Sequence, residues 1–261
     1  MTTAVGLYSI SVQNFDVPEL LEWAHREAIP FVHLRGGPRG YDLARRPVRT
    51  LRAWHGRSLD SVPVTGVTAD TDLYDLFTPD HAVRTRARAD VLRLADAAAE
   101  LGAGWVRLLA RAPIPSTRVS AVGTLAVPEA AVPLLAELHH PHWLTTAAIT
   151  SLGELLCQTP YLRFLADTAQ LAASPPDDGH SEALGWVMAR SDVLHLSDNG
   201  RGLTDGHLSV AAAAAAQVRA GHRIEVGVEW TGRPRSPSVC LNRYRRSVAW
   251  WHAVTGLPIE P

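Results

Sequence analysis

The chain contains no lysine, so all 25 of its basic residues are arginine. Without a side-chain amine there is no Schiff-base aldolase, no attachment point for pyridoxal phosphate and no P-loop lysine. Cysteine is nearly as scarce. Cys157 and Cys240 stand far apart, with no CxxC or CxH spacing, and read as two reduced thiols of a cytosolic protein. An excess of charge of either sign is missing too: the formal net charge is -1, which argues against nucleic acid or an anionic membrane as partner. No apolar run approaches the roughly 18 residues of a membrane span, and the opening MTTAVGLYSI lacks the basic stretch of a secretory leader. A cytoplasmic protein without membrane contact is expected.

What is present is enough apolar material, 46% of 261 residues, to bury a full core. Runs of four to eight apolar residues alternate with longer segments of helical periodicity, the pattern of βαβ units and a parallel sheet. Strands are expected near 4 to 10, 31 to 35, 63 to 68, 104 to 109, 132 to 137, 161 to 167, 192 to 197 and 223 to 229. Eight such units over this length predict one (β/α)8 TIM barrel domain spanning residues 1 to 261. The clearest helices are 17 to 28, 81 to 102, 208 to 220 and 238 to 253. Asp16 with Pro18, Asp80 after Pro79, and Ser236 with Pro237 supply helix starts, and Gly102 and Gly221 supply stops. Between Ala112 and Val132 the chain carries three prolines and little amphipathic period. A proline inside a helix costs about 3 kcal/mol, so the fourth helix should be short or missing. A homodimer contact against that thinly covered wall is the expected assembly.

Four chemically competent side chains end successive apolar runs: Glu137 in VPLLAE, Asp167 in YLRFLAD, His195 in DVLHLSD and Glu229 in RIEVGVE. Their spacing, about 30, 28 and 34 residues, is close to one strand-plus-helix unit of a barrel. A barrel gathers the carboxyl ends of its strands around one mouth, so the four should converge. Each has an ordinary alternative: Asp167 can cap the helix that follows, His195 can be a packed core histidine, and Glu229 can pair with Arg233 or Arg235. Their common period favours a shared site. Three oxygen donors and one nitrogen suit a single divalent ion, Mn²⁺ first, with Mg²⁺, Co²⁺ and Zn²⁺ also accommodated.

Other polar residues fall near the same strand ends. Arg35, in HLRGG, closes the second strand beside two glycines that let a ligand approach. Arg107 and Arg111 flank the end of the fourth strand, where solvated surface positions are the ordinary expectation, and Arg233 and Arg235 follow the eighth. Two arginines at the mouth could clamp a carboxylate or phosphate bidentately. His139 shares the face of Glu137 if strand alternation continues, whereas His140 points the other way. Gln170 offers hydrogen bonds to a hydroxylated ligand. Trp143 and Trp230 could stack on a ring or pack in the core.

The order Glu, Asp, His, Glu on strands five to eight resembles the xylose isomerase-like barrels, which include ketose 3-epimerases, hydroxypyruvate isomerase, inosose isomerases and dehydratases, dehydroshikimate dehydratase and endonuclease IV. The resemblance runs from VGLYSIS and FVHLRGG through AELHHPHW, LADTAQL and VLHLSDNG to VGVEW. It implies that Glu137, Asp167, His195 and Glu229 ligate the metal, with Glu137 and Glu229 doubling as catalytic acid and base. The implied reaction moves a proton next to a carbonyl of a small polyhydroxylated or carboxylated substrate through an enediolate, as an isomerase or epimerase. A dehydratase of the same superfamily, or a barrel that binds a ligand without catalysis, are the alternatives. The likeness also implies substrate contacts at Asp198, the aspartate of an HxKD-like motif in which Ser197 replaces the usual lysine. Gln170 stands where many members carry a substrate-binding histidine. Asp205 and His207, in LTDGHL, resemble the DxH metal pair of endonuclease IV, although the third and fourth strands lack the further histidines that enzyme needs; His207 is otherwise a candidate substrate contact.

Overall fold

A computed structural model describes residues 3–122, 126–139, 142–172 and 179–258. Its strands are β1 (Val5–Tyr8), β2 (Val32–Arg35), β3 (Val64–Asp72), β4 (Val106–Ala110), β5 (Leu134–Leu138), β6 (Leu162–Asp167), β7 (Ser191–Ser197) and β8 (Glu225–Glu229). They pair in parallel in chain order and close into a barrel, with β8 joined to β1 through Val5↔Val226, Gly6↔Gly227 and Leu7↔Val228. Around them lie α1 (Val17–Arg26), α2 (Val48–Asp60), α3 (His81–Glu100), α4 (Ser116–Val122), α5 (Thr146–Gln158), α6 (Thr168–Ala172), α7 (His180–Met188), α8 (Leu208–Arg219) and α9 (Pro237–Thr255). The (β/α)8 TIM barrel expected from the periodicity is the fold observed.

Local sequence explains most of these elements. In α1, Val17, Leu20, Leu21 and Ala24 recur at helical spacing and are all buried. Asp16 accepts from the Glu19 amide while the Glu19 side chain accepts from the Asp16 amide, a reciprocal cap. Asp80 receives the amides of Ala82 and Val83 at the start of α3. Ser236 precedes α9 without a side-chain cap, and Pro237 begins the helix there. Gly102 and Gly221 take φ values of 80° and 98° just beyond α3 and α8, conformations that L side chains resist.

Among its described residues, the proline-rich fourth connection holds only the short α4. Strand β3 runs four residues further than the sequence indicates, to Asp72, because the pairing with β4 shifts register between Thr68 and Asp72. Such a bulge lets a strand continue past the point where its apolar run ends.

Two cores result. The larger packs the outer faces of the strands against the helices. The smaller fills the barrel floor with Trp105, Leu135, Leu165 and Val193. The Trp105 ring fits because β3 offers Gly66 beneath it, where a Cβ would stand 2.0 Å from the indole. Two residues beyond each floor residue, strand alternation brings the next inward side chain: Arg107, Glu137, Asp167 and His195. The floor is apolar and the layer above it is not.

Candidate metal centre

Glu137, Asp167 and His195 are 2%, 2% and 0% exposed, and the Glu229 side chain is 13% exposed. One ligand atom from each lies within 4.8 Å of the other three. The four strand ends that the sequence singles out are therefore brought to one point, an arrangement able to hold a divalent metal ion. Among the described residues no other group of three or more acidic, histidine or cysteine side chains is so placed. Asp205 and His207 stand apart from it: Asp205 is exposed, and His207 Nδ1 accepts from the Thr204 amide at 3.1 Å.

The surroundings of the four are polar as well. Arg107 is buried, not on the surface as its position at a strand end suggested; its Nε stands 2.7 Å from Glu137 Oε2, and its Nη1 donates to the Ala69 carbonyl. The inward register of β4 explains the difference. Tyr8 stacks on the His195 ring at 5.1 Å and exchanges a 2.6 Å hydrogen bond with Thr68 Oγ1. His195 Nδ1 lies 2.9 Å from Glu229 Oε2, and its Nε2 lies 3.0 Å from His33 Nδ1. Glu229 thus pairs with His195 rather than with Arg233 or Arg235. Asp167 Oδ1 also accepts from the Gln170 amide, so the residue caps α6 while facing the cluster.

Electrostatics show what this grouping costs. Burial, and then the negative charges of Glu229 and Glu137, hold the Asp167 carboxyl well above the usual carboxylate range. Burial raises Glu229 too, against the opposing pull of Arg107, His139 and Arg35. Burial, and then neighbouring His33, push His195 well below the usual imidazole value, so the ring is neutral and keeps a free lone pair. Burial lifts Tyr8 to about 12.

The donor set fits a divalent cation on two grounds. Glu137 Oε2 is buried and has no aligned hydrogen bond despite the nearby guanidinium. Three carboxylates face one buried arginine, leaving negative charge that a divalent ion would neutralise.

The remaining candidate contacts spread around the mouth. Arg35 is partly buried and reaches Asp70 at 3.4 Å. His139 is half-buried at the end of β5, and its amide donates to Ala110 O; His140 lies outside the described residues. Gln170 is half-buried in the first turn of α6. Arg233 is exposed in the segment after β8. Asp198 accepts from the Gly200 amide and borders a cavity of about 170 Å³ with Arg243, Arg246 and Trp250. His207 meets the Trp250 ring edge-on. Trp230 is buried, with the Arg243 guanidinium over its ring, and Trp143 is fully buried and donates to Ala110 O, so Trp143 is a packing residue. None of these contacts joins Asp198 or His207 to the four-residue cluster.

Sequence reading passed over His33, Thr68 and Glu225 and undervalued Arg107. Alternation could have found two of them, since His33 precedes Arg35 by two residues and Glu225 precedes Glu229 by four.

No protein-family model and no curated protein sequence matches the chain. Solved structures do. The chain is similar to 3-keto-D-glucoside 4-epimerase from E. coli, with a TM-score of 0.67 and 14% identity over 97% of this chain and 100% of the other. It is similar to D-psicose 3-epimerase from Clostridium cellulolyticum H10, solved with D-tagatose, with a TM-score of 0.70 and 12% identity over 97% and 99%. A xylose isomerase-like TIM barrel protein from Mycobacterium smegmatis, solved with magnesium, matches with a TM-score of 0.65 and 14% identity over 98% and 100%. These likenesses are of fold: the chain shares the eight-stranded TIM barrel of these structures.

Proposed function

We propose that this chain is a divalent-metal-dependent isomerase or epimerase acting next to the carbonyl of a small polyhydroxylated compound, and that residues 1 to 261 work as one barrel. The observation that carries the reading is the convergence of Glu137, Asp167, His195 and Glu229 within 4.8 Å in a buried layer at the strand ends. Similar barrels include epimerases of keto sugars, one of them solved with D-tagatose, which supports a substrate bearing a carbonyl beside hydroxyls. Glu137, Asp167, His195 and Glu229 would hold a divalent ion, which when bound would supply positive charge able to polarise a substrate carbonyl and acidify the C–H next to it. We take Mn²⁺ as the first candidate; the magnesium bound to the mycobacterial barrel supports a hard divalent ion of this kind.

Within that site the chain's own groups divide the work. Asp167 and His195 would mainly hold the ion. Glu229, whose carboxyl burial raises above its ordinary value and which stands at the end of β8 beside His195, takes the carbon-bound proton. Glu137, on the strand three places round the barrel, returns a proton at the opposite face or at the neighbouring carbon. Arg107 offsets the charge of Glu137, and Tyr8 supports the His195 ring. Arg35, His139, Gln170, Asp198, His207, Trp230 and Arg233 are the candidate substrate contacts. A cytoplasmic location is part of this proposal, and no described helix is long and apolar enough to cross a membrane. Its assembly is proposed as a homodimer through the α4 wall, which light scattering tests.

The direct test is exchange of substrate C–H for solvent deuterium across a panel of ketoses with Mn²⁺, Mg²⁺ or Co²⁺. Exchange that requires the ion and is lost with chelator is expected. A chain that binds none of these ions, or exchanges equally well without them, overturns the reading.

A further inference from the structure

A continuous chain of side chains, buried at His195 and His33 and partly exposed at Glu225, runs from the metal-site layer to the opposite end of the barrel. His195 Nε2 meets His33 Nδ1 at 3.0 Å, and His33 Nε2 meets Glu225 Oε1 at 2.8 Å. Glu225 Oε1 also accepts from Thr65 Oγ1 at 2.9 Å and from Trp105 Nε1 at 3.1 Å. Both imidazole side chains are fully buried. Space for them is built into β8: Gly227 is in register with His195, and a Cβ there would stand 2.8 Å from His33 Cε1 and 2.9 Å from His33 Nδ1. The His33 ring is held on its other sides by the edge of Trp105 at 4.7 Å and by Phe31 at 5.3 Å.

Donor and acceptor rules order this chain from its far end. The Glu225 carboxylate only accepts, so His33 Nε2 carries a proton and donates it. If His33 carries a single N–H, its Nδ1 is an acceptor and His195 Nε2 is the donor; a second proton on His33 would reverse that bond and put the His195 proton on Nδ1, which is the outcome the NMR measurement below separates. His195 Nδ1 is then left bare, with its lone pair directed at Glu229 Oε2 only 2.9 Å away. Two acceptors face one another there, and a cation shared between them resolves the clash. Metal-ligating histidines commonly have their other ring nitrogen fixed in this way.

Resting on the metal-site reading above, we propose that His33 and Glu225 are positioning residues that hold His195 in its Nε2–H tautomer and present Nδ1 to the metal ion. The chain is specific to these residues: neither floor apolar packing nor the four ligands alone would choose between the two ring nitrogens.

The test compares Mn²⁺ affinity, measured by competition with a chelator, in the wild-type chain, His33→Phe and His33→Gln. The Gln side chain can donate to Glu225 and accept from His195, whereas Phe can do neither. Loss of His33 should weaken Mn²⁺ binding about 10- to 100-fold, the usual range for such outer partners, and His33→Gln should recover most of it. Independently of any variant, nitrogen-15 NMR of the Mg²⁺-loaded wild type should place the His195 proton on Nε2. A folded His33→Phe that binds Mn²⁺ as tightly as wild type, or a His195 proton on Nδ1 in the loaded protein, overturns the positioning role while leaving the metal site standing. A wild-type chain that binds no divalent ion overturns the site itself and this inference with it.

Discussion

Arg107 Nε lies 2.7 Å from Glu137 Oε2 inside the barrel, and neither atom makes an aligned hydrogen bond there. The pair is an ion pair of proximity, with Glu137 left free to turn an oxygen toward another cation. Removing one member of a buried pair strands the other and typically costs 3–5 kcal/mol. Arg107→Met should therefore lower the thermal midpoint by roughly 10 °C, given about 2–4 °C per kcal/mol for a chain of this size. Added Mn²⁺ should recover part of the loss, read by differential scanning calorimetry with and without the ion.

Glu137→Gln and Glu229→Gln keep the side-chain volume and remove the proton-transfer groups. Each should reduce deuterium exchange at the substrate carbon by at least about 100-fold, the lower end of general acid–base contributions, with an unchanged circular dichroism spectrum. Retained exchange in both variants would sink the assignment of these two residues.

Asp167 and Glu229 give the metal-free barrel a stability that declines with rising pH, while His195, held neutral by burial, gives an opposing rise at lower pH. Both carboxyls are held above their ordinary range, Asp167 by burial and then by the charges of Glu229 and Glu137, and Glu229 by burial. The folded chain keeps protons that the unfolded chain, with carboxyl values near 4, has already released. The contribution of the two carboxyls is therefore highest below the unfolded value and falls as pH rises toward the folded ones. Saturating Mn²⁺ should remove that decline by favouring the ionised carboxylates. Because the opposing His195 contribution ends near the unfolded imidazole value of about 6.5, thermal midpoints between about pH 6.5 and pH 8, with and without the ion, decide the matter; a metal-free midpoint that rises across this range contradicts the prediction.

Gly227 leaves room for the His33 ring, and any Cβ placed there would overlap it. Gly227→Ala should cost about 1–3 kcal/mol, as overpacking of a filled core does. Urea unfolding would show a lower midpoint with an unchanged slope, whereas Gly153→Ala, at a position where a Cβ meets nothing within 4 Å, should leave the midpoint unchanged or slightly raised.

Much of this was legible in the sequence because strand alternation and helix period are local. Glu137, Asp167, His195 and Glu229 each close an apolar run, and a parallel barrel places such ends at one mouth whatever the details of packing. The short α4 was legible from its prolines for the same reason. Arg107 was not, because a strand-end arginine reads as solvated unless the register of β4 against β5 is known. His33 was hidden in FVHLRGG, where a single histidine among apolar residues has no partner in view.

By itself the sequence determined the barrel, its eight-fold period, the absence of lysine chemistry and the four side chains that converge, since each depends on residue type and spacing along one segment. Only the tertiary structure decided that Arg107 turns inward to Glu137 and that His33 and His195, 162 residues apart, touch ring to ring. The first joins the neighbouring strands β4 and β5 through their inward register, and the second joins β2 and β7 across the barrel interior. They depend on barrel closure, stagger and the gap left by Gly227, which no single segment specifies.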